Sequence, residues 1–403
     1  MGCIVFLSRM IPEEHREWVE QNRIDGMFGS AIALQKKLLK GFDTLVGEEL
    51  IVCNAEPIGN YPQHFRQRRV EAFRYDHRQA GGAQDYNVGF DNLIGIKQKS
   101  MEQGVLRTLE EIQRNRPVSA LILYSPALYF LNAAYRFGTA HPEVHICLIV
   151  PDLPDFGDLS RQVNLKTRLL QKMQNSVIDR AFSRFNSMVF LTRQTADYLH
   201  WTDRPYVVVE GIADVPECPE TEQGGVPTIV YTGTTHRQFG VPVLAQAFSL
   251  IQDEQVRLVI CGQGDYDEEL RRMAQRDPRL DFPGVVSHEQ ALALQQQAAV
   301  LVNPRQNIGE YTKYSFPSKT MEYMVTGVPV AAYRLDGMPE EYFDYLNCPK
   351  DNSPQALADT ITALLHLTPA QRREMGERAK RFVLQEKNPT KQVEKIVRMI
   401  RGN

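Results

Sequence analysis

Runs of consecutive apolar residues recur along the chain, separated by segments whose apolar positions return every three or four residues. In the first half the runs are CIVFL (3–7), ELIVC (49–53), SALILY (119–124), VHICLIV (144–150), SMVFLT (187–192) and YVVVEG (206–211). In the second half they are TIVYT (228–232), VRLVIC (256–261), RLDFPG (279–284) and AVLVNP (299–304). Short runs rich in β-branched residues predict strands buried on both faces, as in a parallel sheet covered by helices. The helical period predicts helices over 29–39, 92–115 and 163–185, then over 241–251, 265–276 and 287–298, the last with Ser287 as N-cap. Pro317 precedes one more short periodic run and Gly327 follows it. This predicts a helix of about three turns with Pro317 in its first turn, leading into a buried strand from Val328 to Ala332.

Strands alternating with helices specify a doubly wound α/β domain, and the alternation occurs twice. Between the two halves, DVPECPETEQGGVP (214–227) is rich in Pro, Gly and Glu and lacks periodicity, which marks a linker. The expected organisation is a first domain over 1–213, the linker at 214–227, a second domain over 228–388 and a C-terminal segment over 389–403. The amphipathic helix VEKIVRMIR (393–401) in that segment is expected to reach back across the hinge to the first domain.

Composition narrows the class. The chain has 403 residues, 43% hydrophobic and 24% charged, enough for two or three domains with a sizeable core. A net charge of −3 supplies no general basic field, so nucleic acid is not an expected partner. The six cysteines (Cys3, Cys53, Cys147, Cys218, Cys261, Cys348) lie far apart with no CxxC pair, which reads as reduced thiols in the cytoplasm. No apolar run approaches the ~20 residues of a membrane span, and MGCIVFLSRM has no basic region or cleavage site of a secretory signal. From Arg161 to Arg184 six basic residues face one acid, with Leu165, Leu169, Met173 and Val177 as an apolar stripe. That pattern suits either a core-facing helix with a solvated outer face or peripheral contact with an anionic membrane.

Open α/β sheets bind ligands outside the carboxyl ends of their strands. In the second half this edge should gather Gly233, Thr234 and Thr235, then Gly262 and Gly264, then Val286, then Arg305, and the turn from Tyr314 through Ser315, Phe316 and Ser318 to Lys319. Glycines permit close backbone approach, and a helix start favours an anion. Arg305 and Lys319 would supply the positive charge for a diphosphate held without a metal. Glu322, one turn into the helix, is suited to accept hydrogen bonds from vicinal ribose hydroxyls. The plainer reading of Lys319 and Glu322 is an ordinary i,i+3 surface pair.

The segments YTGTTHRQFGVPVLAQAF, LVICGQGD, FPGVVSHEQALALQQQAAVLVNPR and SFPSKTMEYMVTGVPVAAYRLDGMPEEY resemble family 4 of the retaining glycosyltransferases, near its bacterial surface-polysaccharide branch. The resemblance covers about 228–345; the first half matches only in outline, through Gly29 and Ser30. It implies the GT-B architecture, α/β with two Rossmann-like domains facing across a cleft. It implies a nucleotide sugar, with UDP favoured, bound by the second domain, and a glycan or lipid-linked acceptor bound by the first, with no further cofactor. Three departures stand out. Of the two glutamates of the family motif, Glu322 matches the second and Tyr314 occupies the place of the first. Thr234 and Phe239 stand where the family often has Arg and Lys, with His236 and Arg237 in the same loop. Asp152 lies at the strand end where many members carry a histidine. The expected catalytic residues are therefore Asp152, Arg237 and Lys319. A nucleotide-sugar 2-epimerase of the same fold and a silent nucleotide-sugar-binding subunit remain the alternatives.

Overall fold

The computed structural model describes residues 2–24, 29–151, 180–215 and 225–402, with the side chains of 29–31 left out. The chain divides into two compact units, one of Met1–Val209 with Pro389–Asn403 and the other of Glu210–Asn388. The division falls after Val209, so the segment expected as a linker begins inside the second unit, and 216–224 lie outside the described residues.

The first unit is built on β1 (Cys3–Ser8), β2 (Leu50–Asn54), β3 (Arg69–Val70), β4 (Phe73–Tyr75), β5 (Asp85–Asn87), β6 (Phe90–Asp91), β7 (Val118–Tyr124), β8 (His145–Val150), β9 (Ser187–Phe190) and β10 (Tyr206–Val208). Its main sheet runs β10-β9-β8-β7-β1-β2-β5-β4. Every pair is parallel except β4 with β5. β3 and β6 form a separate two-stranded ribbon. Continuous burial of β1, β2 and of β8 after His145 explains their apolar sequences: both faces are covered, so these positions do not face water. The C-terminal helix Pro389–Arg401 belongs to this unit. It crosses the helix Gly29–Val46 at Gly41, where a Cβ would lie 2.4 Å from the Pro389 carbonyl. Only a glycine allows that backbone approach.

The second unit carries β11 (Thr228–Thr232), β12 (Arg257–Cys261), β13 (Leu280–Gly284), β14 (Val300–Asn303) and β15 (Val330–Ala332) in the all-parallel order β13-β12-β11-β14-β15. Each expected strand is present within a residue or two of its expected bounds. Ser287 caps the helix His288–Gln297 through a reciprocal pair of bonds with Gln290.

The helix behind Pro317 needs correcting. It runs from Ser318 to Val325, eight residues, with Pro317 as N-cap and not inside the first turn. The Pro317 carbonyl accepts from the Thr320 N–H at 2.8 Å, while the backbone before it still turns back on itself, Ser318 N–H donating to Phe316 O at 3.0 Å. Gly327 does end the segment, in the left-handed region at φ +77°. The helix Leu128–Ala140, not among those expected, buries Tyr129, Phe130, Leu131, Ala133, Ala134 and Phe137 and leaves Arg136, Thr139 and Ala140 exposed. Of the basic segment 161–184, residues up to 179 lie outside the described part. Arg180 stacks on Tyr135, 4.4 Å from the ring centroid, and Arg184 donates to the Gly138 carbonyl, so both hold to the helix Leu128–Ala140. Cys3, Cys53, Cys147 and Cys261 are buried free thiols and Cys348 is half-buried; Cys218 is outside the described residues. Among the described residues, no helix is long and apolar enough to cross a membrane.

Candidate functional site

In the second unit the chain steps from β11 outward to β12 and β13, then returns to place β14 and β15 on the other side of β11. The crevice between β11 and β14 is therefore where successive connections diverge, the position at which open α/β sheets take their ligands. Gly233 leaves β11 there and Arg305 follows β14.

The glycine turns are packed backbone to backbone. A Cβ on Gly262, at φ +146°, would fall 1.7 Å from the Gly233 carbonyl oxygen, and one on Gly264 would fall 2.4 Å from the Thr235 carbonyl carbon. Gly233 N–H donates to Cys261 O at 2.9 Å, and Thr235 N–H to Gln263 O at 3.0 Å. Asp267 ties the two turns together: it accepts from the Thr235 hydroxyl and from Gly264 N–H, the latter at 2.9 Å. Thr235 is thus fully buried and holds the loop, while Thr234 beside it is exposed.

The helix Ser318–Val325 is clamped to both strands of the crevice. Thr232 N–H at the end of β11 donates to the buried Tyr323 hydroxyl at 2.8 Å, and Gln295 Nε2 donates to Thr232 Oγ1 at 2.7 Å. At the end of β14, Asn303 Nδ2 donates to Thr320 Oγ1 at 2.8 Å. Burial raises the pKa of Tyr323 and of Tyr231, so both phenols stay neutral; the Tyr231 hydroxyl donates to Thr234 O at 2.7 Å. Lys319 precedes the two clamped residues, Thr320 and Tyr323. A Cβ on Gly233 would sit 3.7 Å from its Cε, so the lysine stem passes directly over the β11 turn. Its ammonium meets Glu322 Oε2 at 2.8 Å, the i,i+3 pair that the plainer reading expected. Tyr323, Asn303, Thr320 and Gln295 are positioning residues that the chain order hides. The signal for them is polar side chains in otherwise apolar runs.

Arg305 donates to Ser315 Oγ at 2.5 Å and lies over Tyr311, 4.9 Å from the ring centroid. The Ser315 hydroxyl in turn donates to Tyr311 O at 3.2 Å. Tyr314 is half-buried at the end of the short helical turn Glu310–Lys313. Phe316 is buried against Tyr342, centroids 5.1 Å apart, so its contribution to a ligand would come from its backbone. Ser318 is exposed as the first residue of its helix, and Val286 is half-buried after β13. Arg237 is committed to the neighbouring connection after β12: its guanidinium pairs with Glu269 and covers Tyr266 at 4.6 Å. His236 Nδ1 accepts from Asp265 N–H at 3.1 Å. Among these segments, Lys319 meets the Gly233 turn, Arg305 is bonded to Ser315 beyond β14, and Arg237 is held by the acidic start of the helix Asp267–Arg276.

In the first unit Gly29 opens the helix Gly29–Val46, and Asp152 lies outside the described residues. Asp76, His77 and Asp85 bring three potential metal-ligand atoms together. Both ring nitrogens of His77 are already engaged, Nδ1 with Asp85 at 2.6 Å and Nε2 with Asp43 at 3.0 Å. Burial alone would lower the pKa of this histidine, but the bonds to Asp43 and Asp85 outweigh it and raise it to about 9. A protonated imidazole donating from both nitrogens is an ion-pair core and has no lone pair for a metal.

Residues 226–366 match the family Glycosyl transferases group 1. No curated protein is significantly similar to the chain in sequence. Solved structures are similar over the whole length. Sucrose-phosphate synthase from Thermosynechococcus elongatus has a TM-score of 0.59 at 14% identity, covering 100% of this chain and 99% of the other. HepE of Anabaena, in complex with UDP, has a TM-score of 0.60 at 13% identity, covering 100% of both. The α,α-trehalose 6-phosphate synthase of Burkholderia multivorans has a TM-score of 0.62 at 10% identity, covering 100% of this chain and 97% of the other. At such identities the likeness speaks for the fold: the chain has the GT-B fold of two Rossmann-like domains, and its second domain carries the group 1 glycosyltransferase match.

Proposed function

We propose that this chain is a retaining glycosyltransferase that moves a sugar from a nucleotide diphosphate sugar, UDP-linked by preference, to a glycan or lipid-linked acceptor in surface polysaccharide synthesis. The observation that carries the reading is the placement of Lys319 over the Gly233 turn at the β11–β14 crevice; Arg305, just beyond β14, is bonded to Ser315 in the turn that leads to the Lys319 helix. As the bond from sugar to diphosphate breaks, negative charge develops on the leaving group. Two cations fixed in advance at that point stabilise it without a reorganisation cost. Glu322 beside them would take the ribose hydroxyls. In this reading the donor needs no divalent ion, because Lys319 and Arg305 supply the charge. The HepE structure holds UDP, and the group 1 match spans all of these residues. Substrate-dependent release of UDP from UDP-sugars, in the presence of EDTA, is the test. Activity abolished by EDTA and restored by Mn2+ would overturn the metal-independent part.

The engagement of Arg237 by Glu269 favours a second reading, a chain that binds nucleotide sugar without transferring it. Tight UDP binding with no turnover of any UDP-sugar would select that reading.

A further inference from the structure

Three segments of the first unit, far apart in the chain, are stitched into one exposed surface beside the β3–β6 ribbon. The turn from Tyr61 to Phe65 lies between the other two. At one end Phe65 bridges to Arg23, and Ile24 N–H donates to His64 O at 3.1 Å. At the other end Tyr61 bridges to Leu93, and its N–H donates to Asn92 O at 3.1 Å. The buried Asn92 amide donates to Gly59 O at 2.9 Å and to Gln67 O at 3.2 Å, and the Lys97 ammonium donates to Ile58 O at 2.6 Å. Phe65, 1% exposed, roots the turn against Trp18, with ring centroids 5.3 Å apart.

This framework displays aliphatic side chains to solvent. Ile94 is 59% exposed and Ile96 is 50% exposed, on either side of Gly95 at φ +82°. A Cβ on Gly95 would meet nothing within 4 Å, so the turn stands clear of the rest of the unit. Such turns are ordinarily built from Gly, Asn, Asp, Pro and Ser, and the two isoleucines bury little apolar area there. Ile24, 51% exposed, stands on the far side of the Tyr61–Phe65 turn.

The charge around them is of one sign. Residues 59–70 and 92–99 contain no acid. Arg23, Arg66, Arg68 and Lys99 are exposed, and among the described residues none of them pairs with a carboxylate. Arg69 differs, meeting Glu71 at 3.1 Å where the surface borders the ribbon. Arg68 lies over the Tyr61 ring, 5.1 Å from its centroid. In a chain of net charge −3 this is a local basic field set around exposed isoleucines.

We propose that this surface docks the protein on an anionic lipid bilayer. The isoleucines enter the headgroup layer, and the arginines and Lys99 rest on lipid phosphates. Aliphatic side chains on protruding turns need no matching pocket in a fluid surface, whereas a protein partner would have to offer one for each. Basic side chains around them keep their charge at headgroup level while their stems lie along the apolar layer. The proposal uses the first unit alone, is independent of the glycosyltransferase reading, and concerns a surface other than the basic segment 161–184.

The test is co-sedimentation of the full chain with two kinds of vesicle, phosphatidylcholine alone and equal parts of phosphatidylcholine and phosphatidylglycerol, over a range of salt. Binding to the mixed vesicles only, weakening as salt rises, is expected. Arg66→Gln with Arg68→Gln should lower partitioning about 25-fold, about fivefold for each charge lost at an anionic surface. Ile94→Ser with Ile96→Ser should lower it at least about tenfold without changing its salt dependence. All four side chains are exposed, so the thermal midpoints of both variants should match that of the parent. Equal binding to the two kinds of vesicle, or none at low salt, overturns the proposal. Parental partitioning of both folded variants also overturns it and puts any lipid contact elsewhere on the chain. Capture by polyglutamate as tight as by the mixed vesicles, and indifferent to the isoleucine changes, replaces the bilayer with an acidic protein.

Discussion

The ammonium of Lys319 lies 2.8 Å from the Glu322 carboxylate while its stem crosses the Gly233 turn. The pair is at once a surface ion pair and the charged rim of the β11–β14 crevice. Exposed pairs of this kind contribute little to stability, so replacing either partner should leave the fold intact.

Glu322→Gln keeps the shape and removes the charge. If the carboxylate takes the ribose hydroxyls, UDP affinity should fall at least about tenfold, part of two charge-assisted bonds being lost. Calorimetric titration of UDP into both folded proteins measures it. Equal affinity would reduce Glu322 to the partner of Lys319.

Gly262→Ala should damage the site from beneath. Its Cβ would fall 1.7 Å from the Gly233 carbonyl oxygen, and φ +146° is itself unfavourable for alanine. The Gly233 turn must move or the unit must loosen, at a cost of about 1–3 kcal/mol from backbone strain alone. A lowered denaturation midpoint with loss of UDP binding is expected. A variant as stable as its parent and binding UDP normally would show that the turn accommodates the methyl group.

His77 should make stability depend on pH. Its folded pKa, about 9, lies above the ordinary 6.5 because the carboxylates of Asp43 and Asp85 outweigh burial. The unfolded chain holds the proton less tightly. The stabilisation is therefore complete below about pH 6.5 and fades as pH rises through about 9. Denaturant midpoints of the parent chain should fall over that window, and His77→Gln should be less stable at pH 6 and show a flatter profile. Parallel profiles for the two proteins would exclude His77 as the titrating group.

Lys387 is buried in the second unit between Glu210 and Glu341, with the Tyr342 hydroxyl donating to Glu210 at 3.1 Å. Burial works against its charge, and the two glutamates overcome this and raise its pKa. Lys387→Met leaves Glu210 buried without a counter-charge, a loss of about 3–5 kcal/mol. The double change Lys387→Met with Glu210→Gln should recover part of it. A single variant with parental stability in chemical denaturation would contradict this account.

The inner strands β1, β2 and β14 were legible as apolar runs, because a strand covered on both faces has no position that faces water, whereas β13 at the sheet edge leaves Asp281 and Pro283 exposed. β4 and β5 were not, since three-residue strands at a sheet edge are too short to show a period. Glycines after β11 and β12 announced close backbone approach, and the contacts at Gly233, Gly262 and Gly264 are of that kind. By contrast, nothing in the order of residues says that Tyr323 closes on Thr232, 91 positions earlier.

By itself the sequence determined the alternation of strands and helices, the doubly wound class of both halves and the cluster of glycines and cations at one sheet edge. All of these depend on residues close together in the chain, through burial, backbone freedom and helix ends. Only the tertiary structure decided that Lys319 crosses Gly233 and that Arg237 is taken by Glu269. Those pairings follow from strand order, and strand order is settled by the joint packing of segments far apart in the chain.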